Sequence, residues 1–249
     1  MSAEFNLGIQ SYCFRKFLPL PELIDALRQA GLFYVEIWPR HLQWTLEKAE
    51  IDKALTLLER EGITVSAYGA VEFSNDEAEA RSIFAFAQQA GIGALTVTRV
   101  DPDALPLIDR LSEEYGVLVA IHNHGRHHHY GRFDQIEEVF SQTSRRFGLC
   151  LDTAWFLDAG CDPIEAIDVF QERLYGVHLK DFVFDDHGGH QDVIIGTGGL
   201  DLPRFMKRLQ QVGFRGYLSI EYEGDPDDPL PQVIECVRVA QEAIDQLRM

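Results

Sequence analysis

Four apolar runs each end in a residue type that binds divalent cations: VLVAIHNHG carries His122, FGLCLDT carries Asp152, LYGVHLKD carries His178 and GYLSIEYEG carries Glu221. Two imidazoles and two carboxylates suit a single dication, and such an ion in a cleft polarises carbonyl groups and stabilises developing oxyanions. Any one of these residues alone would as readily be a hydrogen-bonded structural side chain. Their chemistry depends on the runs being strands that lie side by side, so that all four ends converge.

Strand parity divides the polar residues further, because residues two apart face the same side. His124 points with His122, Lys180 with His178, and Glu223 with Glu221. The deeper member of each pair is assigned as metal ligand and the shallower as a neighbour of substrate. His124 stays open as the ligand in place of His122, with His122 then a buried support. Glu36 and Trp38, in YVEIW, share parity at the end of an earlier run. A carboxylate that accepts hydroxyl protons beside an indole that covers C–H faces suits a sugar, and His41 follows as a solvated residue or a further substrate contact. The tract GRHHHYGR at 125–132 has a metal-binding composition, yet consecutive histidines cannot all reach one ion, so it reads as a polar rim. GTGGLD at 196–201 reads either as a phosphate-cradling turn or as a helix entry capped by Asp201. Cys13 has no adjoining base in the sequence to activate it and reads as pocket wall. There is no GxSxG elbow, P-loop or GxGxxG, which removes support for serine hydrolase, NTPase and dinucleotide readings.

The elements that must position these residues alternate eight times. Strand-like runs fall near 5–12, 33–38, 63–69, 94–98, 117–124, 147–152, 174–180 and 216–222. Helical patterns fall near 20–30, 47–61, 75–90, 102–115, 133–145, 163–171, 201–211 and 230–247. Gly31, Gly62, Gly91 and Gly213 sit where helix C-caps belong. Eight such units predict an α/β fold of the (β/α)8 TIM barrel type rather than a doubly wound sheet, in one domain over residues 1–249. Catalytic residues of that barrel lie at the C-terminal ends of strands, where all four opening residues stand.

A 46% apolar composition supports a sizeable core, and a formal charge of −18 opposes nucleic acid and gives no basic face for a membrane. A neutral sugar or polyol suits that charge better than a bisphosphate. The first residues have neither a basic region nor an apolar signal core, and Cys13, Cys150, Cys161 and Cys236 read as reduced thiols, so a cytoplasmic protein is expected.

With GIQSYCFR, YVEIW, IHNHG, CLDTAW, VHLKD and LSIEYEG in this order, the chain resembles the xylose isomerase-like TIM-barrel superfamily. It is most similar to the sugar phosphate isomerase/epimerase branch, relatives of inosose dehydratases and ketose 3-epimerases. The resemblance spans essentially the whole chain. It implies one divalent ion (Mn, Mg, Co or Zn) held by His122, Asp152, His178 and Glu221, a carbohydrate substrate, and a homodimer. Two departures stand out. His122 occupies a position that is Glu in many members, which leaves two carboxylates at the ion and removes one of a paired acid/base set. Trp155 occupies the position of a frequent substrate-contacting His. The expected reaction is isomerisation or epimerisation by proton abstraction next to a carbonyl through an enediolate. Glu221 would be the base, Lys180 or His124 the second proton donor or oxyanion partner, and Glu36, Trp38, Trp155 and His41 substrate contacts. A dehydrating or glycoside-eliminating lyase is the leading alternative, ahead of a non-catalytic sugar- or metal-binding relative and a metal-dependent endonuclease.

Overall fold

The computed structural model describes residues 5–248, so residues 1–4 and 249 of the expected domain lie outside the described residues. Eight parallel strands close into a barrel: β1 (Leu7–Gln10), β2 (Tyr34–Ile37), β3 (Thr64–Phe73), β4 (Ala94–Val100), β5 (Leu118–His122), β6 (Phe147–Asp152), β7 (Leu174–Leu179) and, after a small insertion, β10 (Tyr217–Ile220), which pairs back onto β1. Helices α1 (Leu20–Ala30), α2 (Lys48–Arg60), α3 (Glu77–Gln89), α4 (Leu105–Tyr115), α5 (Phe133–Gln142), α7 (Pro163–Phe170), α8 (Leu202–Gln211) and α9 (Leu230–Gln246) follow the strands in turn. This is the TIM barrel that the alternation predicts.

Local sequence explains the outer ring. In α3, Asp76 caps the N-terminus by accepting from the backbone N–H groups of Ala78 and Glu79, and Ile83, Phe84 and Ala87 turn into the core. Gly31, Gly62, Gly91 and Gly213 take φ of 71°, 72°, 68° and 69°. No atom crowds the place of a missing Cβ at these four positions, so glycine is needed there for its left-handed backbone and not for space. β6 is buried along its whole length, as a parallel strand covered on both faces should be.

Three features departed from the periodic pattern. β3 runs on to Phe73, past the expected end at residue 69, because Val71 and Phe73 stay buried while Glu72 between them faces the open mouth of the barrel. A short helix, α6 (Thr153–Asp158), follows β6 directly, with Asp152 as its N-cap. Between β7 and α8 a hairpin of β8 (Phe182–Phe184) and β9 (His190–Asp192) stands over the C-terminal mouth. No helix among the described residues is long and apolar enough to cross a membrane.

The Gly-rich turn 196–201 is settled by its own neighbour. The buried Asp181 carboxylate accepts from the backbone N–H groups of Phe182, Gly196, Gly198 and Leu200, at 2.8–3.0 Å. The cradle therefore holds a protein carboxylate rather than a phosphate, and a Cβ at Gly198 would come within 2.7 Å of it. Asp201 caps α8 by accepting from Arg204 N–H. Asp181→Ala strands several of these buried donors, each worth about 1–3 kcal/mol. The variant is expected to lose at least about 3 kcal/mol in urea unfolding, and Asp181→Asn less; unchanged stability in Asp181→Ala would refute the anchoring role.

Candidate metal centre

The barrel register brings the four strand ends together. His122 pairs with Cys150, Asp152 with His178, and His178 with Ser219, so Asp152 and Glu221 each lie two residues beyond their neighbour's level. Strand tilt in a closed barrel turns that stagger into a common height around the axis. The ligand atoms of His122, Asp152, His178 and Glu221 all lie within 4.8 Å of one another, and all four residues are buried. His122 Nε2 stands 2.9 Å from His178 Nδ1, 3.6 Å from Asp152 Oδ2 and 3.5 Å from Glu221 Oε2. His178 Nδ1 is 3.0 Å from Glu221 Oε2. A tetrahedral ion with bonds of about 2.1 Å separates its ligands by about 3.4 Å, close to this spacing.

Two observations test whether the residues fit an ion. Asp152 Oδ2 is buried in the middle of the group with no hydrogen-bond partner. Two imidazole nitrogens and two carboxylate oxygens also face one point where they cannot all satisfy each other. A divalent cation satisfies both conditions, and His122, Asp152, His178 and Glu221 are the residues that would hold it.

The surrounding shell fixes these groups. His178 Nε2 lies 2.7 Å from Glu36 Oε2, the carboxylate–histidine arrangement that orients an imidazole ligand. Asn123 clasps Asp152 by accepting from its backbone N–H at 2.8 Å and donating to its carbonyl at 3.0 Å. Lys180 is buried with its ammonium paired to Glu223 and 3.8 Å from Asp192. Burial would lower the lysine's pKa, but the carboxylates of Glu221, Glu223, Asp192 and Asp152 outweigh it and hold the ammonium charged. Burial would likewise raise Glu221, yet Lys180, His178 and His122 press it well below the usual carboxylate range. Both histidines go the other way. Against burial, the nearby carboxylates of Asp152 and Glu221 raise His122, and Cys150, Glu36 and Glu221 raise His178 well above an ordinary imidazole.

Above the group opens a cavity of about 290 Å³, lined by His122, His178 and Glu221 at its floor. Of the expected substrate contacts, Trp38, Trp155 and His124 line this cavity. Burial and the neighbouring His122 and His128 lower His124 to about 3, so it is a neutral imidazole. Two expectations are corrected. Glu36 is fully buried behind His178, its carboxylate against His178 Nε2, and has no access to a substrate. His41 is neither solvated nor in the cavity: it is 7% exposed, with Nδ1 3.0 Å from Ser11 Oγ and its ring against Trp38. Lys180, expected as a second proton donor or oxyanion partner, does not line the cavity: it is buried with its ammonium on Glu223, which does. Cys13 lies behind the site, not on its wall, with its thiol accepting from Tyr222 N–H at 3.1 Å. Gln10, Tyr12, Glu72 and Thr98 line the cavity without having been singled out. Extending the strand alternation past residue 69 would have found Glu72, between the buried Val71 and Phe73.

The model of a family described as xylose isomerase-like TIM barrel matches residues 103–244. The rhizopine catabolism protein MocC of Rhizobium meliloti is 29% identical over 143 residues, which cover 50% of this chain and 42% of MocC. An inosose dehydratase of Klebsiella pneumoniae is 31% identical over 140 residues, covering 48% and 45%. Each match thus spans less than half of the relative's own length. Among solved structures, the IolI protein with a bound zinc atom superposes with a TM-score of 0.79 at 18% identity, covering 98% of both chains.

Protons and metal compete for the imidazoles, which sets a pH dependence. Both imidazoles are shifted toward protonation in this site, so an ion must compete with protons for them. Zn²⁺ or Mn²⁺ added to chelator-stripped protein is expected to bind at one equivalent, more tightly at pH 8 than at pH 6, with proton release seen by calorimetry in buffers of different ionisation enthalpy. An affinity independent of pH would contradict the site. Asp152→Ala and His178→Ala are expected to abolish binding, and Glu36→Gln to weaken it about 10–100-fold.

Proposed function

The chain belongs to the xylose isomerase-like TIM barrel family, and from that premise we propose a metal-dependent enzyme that removes a proton from carbon next to a carbonyl in a sugar or cyclitol. The observation that carries this reading is the buried four-residue group at the floor of a cavity walled by Trp38, Trp155 and Tyr12. When bound, a divalent cation supplies Lewis-acid polarisation of the substrate carbonyl and stabilises the negative charge of the enediolate.

The chain's own residues supply the rest. Glu221 is held ionised and faces the cavity, so it is the group to accept the C–H proton. The buried Lys180 ammonium favours negative charge at this end of the barrel and positions Glu223 at the rim. It acts through these carboxylates and not as a proton donor. Neutral His124 offers a hydrogen bond to a substrate oxygen but has no proton to give as an imidazolium at neutral pH. Trp38 and Trp155 exclude water and cover C–H faces of a ring.

Elimination is the outcome we favour, a revision of the isomerase reading. His122 stands where a second catalytic carboxylate is expected, and a one-base elimination has no need of it. Glu221 takes the proton, the carbon–carbon double bond forms, the β C–O bond breaks, and the proton leaves with the departing oxygen as water or an alcohol. The inosose dehydratases among the relatives support this class. Epimerisation is the second reading, favoured by Glu72 and Glu223 on the cavity wall as groups for return of a proton from another side.

Incubation of the metal-loaded protein with inososes and keto-sugars in deuterated water, followed by NMR, tests this. Exchange or loss of the α-hydrogen is expected, falling by about 10³-fold or more in Glu221→Gln. An unsaturated product marks elimination and a deuterated stereoisomer marks epimerisation. A protein that binds these compounds without disturbing any C–H bond would be a binding relative instead.

A further inference from the structure

A second cleft of about 490 Å³ adjoins the cavity over the metal centre. Its walls come from the loop after β5, from α6 and from the β8–β9 hairpin. His124 and Trp155 line both spaces, their rings stacked with centroids 5.7 Å apart. The inner cavity alone is at the small end of the range of about 300–1,000 Å³ for small-molecule sites. It is large enough for one six-carbon ring and little more.

The outer cleft is built, not incidental. Asp158 accepts from the Arg126 guanidinium at 2.8 Å and from its backbone N–H at 2.9 Å, which ties the β5 loop to α6. Gly125 makes that approach possible, since a Cβ there would meet Asp158 Oδ2 at 2.1 Å. On the opposite side, His190 stacks on Phe182 with ring centroids 4.2 Å apart and stands edge-on to Trp155. The hairpin is itself anchored through Asp181.

The lining selects a chemical class. Arg126 is the only Arg or Lys lining the cleft, and Asp158 takes two of its guanidinium nitrogens and offsets its charge, so the cleft offers no uncompensated cation to a phosphate or carboxylate. His127 and His187 add imidazoles that both donate and accept, and Trp155 adds an aromatic edge and face. That combination suits hydroxyl groups and C–H faces. We infer that the outer cleft is a second subsite that holds a neutral sugar or polyol unit attached to the reacting one, so that the substrate is a two-unit keto-glycoside or a similar conjugate. This rests on the proposed proton abstraction at the inner cavity, and it goes further by giving the leaving or distal group a place of its own.

Matched probes test it: D-fructose against lactulose, whose galactosyl oxygen is β to the ketone of the open-chain form, and isomaltulose, whose second unit is further away. Binding to zinc-loaded protein is read by saturation-transfer NMR and titration, and turnover by α-hydrogen exchange. The disaccharides are expected to bind at least about tenfold more tightly than D-fructose, with saturation reaching the second ring. The His127→Ala/His187→Ala double variant is expected to reduce that preference at least about threefold, and His187→Trp, which fills the cleft, to remove it. Equal binding of all three sugars, no contact to the second ring, or no binding of any of them at tens of millimolar would overturn the subsite. Preferential binding without exchange would leave the subsite standing and overturn the proposed reaction.

Discussion

Two carboxylates and two imidazoles crowded into one buried volume are the constraint on which the rest of this barrel depends. Without compensation, burying such a set is costly, since charges taken out of water and left unpaired cost several kcal/mol each. The chain compensates in two ways. Lys180 contributes a fixed positive charge from the side, and the surrounding groups shift both imidazoles toward protonation, with which an ion would compete. Asp152 Oδ2, with no hydrogen bond of its own, marks where protons alone leave the balance incomplete.

The fold can be understood from this point outward. Tilted strands place residues from four successive positions at one height, so a rigid parallel sheet supplies the precision that loops would not. Behind the ligands the support is layered: Glu36 fixes the His178 ring, Asn123 joins the ends of β5 and β6 by gripping Asp152, and Glu223 and Asp192 hold Lys180. In front, the β5 loop, α6 and the hairpin form the cleft, and their own anchors are carboxylates buried against backbone N–H groups or Arg126. Similar chemistry thus serves twice, with a cation at the centre and with backbone dipoles at the rim.

Much of this was legible from the sequence because the governing signals are local. Apolar runs of strand length, glycines after helices, and a metal-ligand residue type at each strand end require no knowledge of tertiary contacts, and they lead to the closed eight-stranded barrel. Parity correctly groups residues that share a side, as with His122 and His124, which both line the cavity. It does not reveal how deep one strand sits relative to another. That is why Glu36 reads as a substrate contact and lies behind His178, and why Lys180 reads as a proton donor or oxyanion partner and is covered by Glu223. His41 follows a strand in sequence but is drawn inward by Ser11, a contact between distant segments. The hairpin was hidden for a different reason: two three-residue strands carry too little periodicity to be distinguished from a polar loop. The carboxylate at Asp181 that fills the Gly-rich turn lies fifteen residues before the first glycine it binds, beyond any motif's reach.

The central claim is that His122, in place of a carboxylate, completes a four-residue metal centre with Asp152, His178 and Glu221. Anomalous diffraction from crystals loaded with zinc, recorded on both sides of the absorption edge, addresses it most directly. A single strong peak is expected about 2.0–2.2 Å from His122 Nε2, His178 Nδ1 and one oxygen each of Asp152 and Glu221. A peak bound elsewhere, or bound to the other three with His124 in place of His122, would contradict the account.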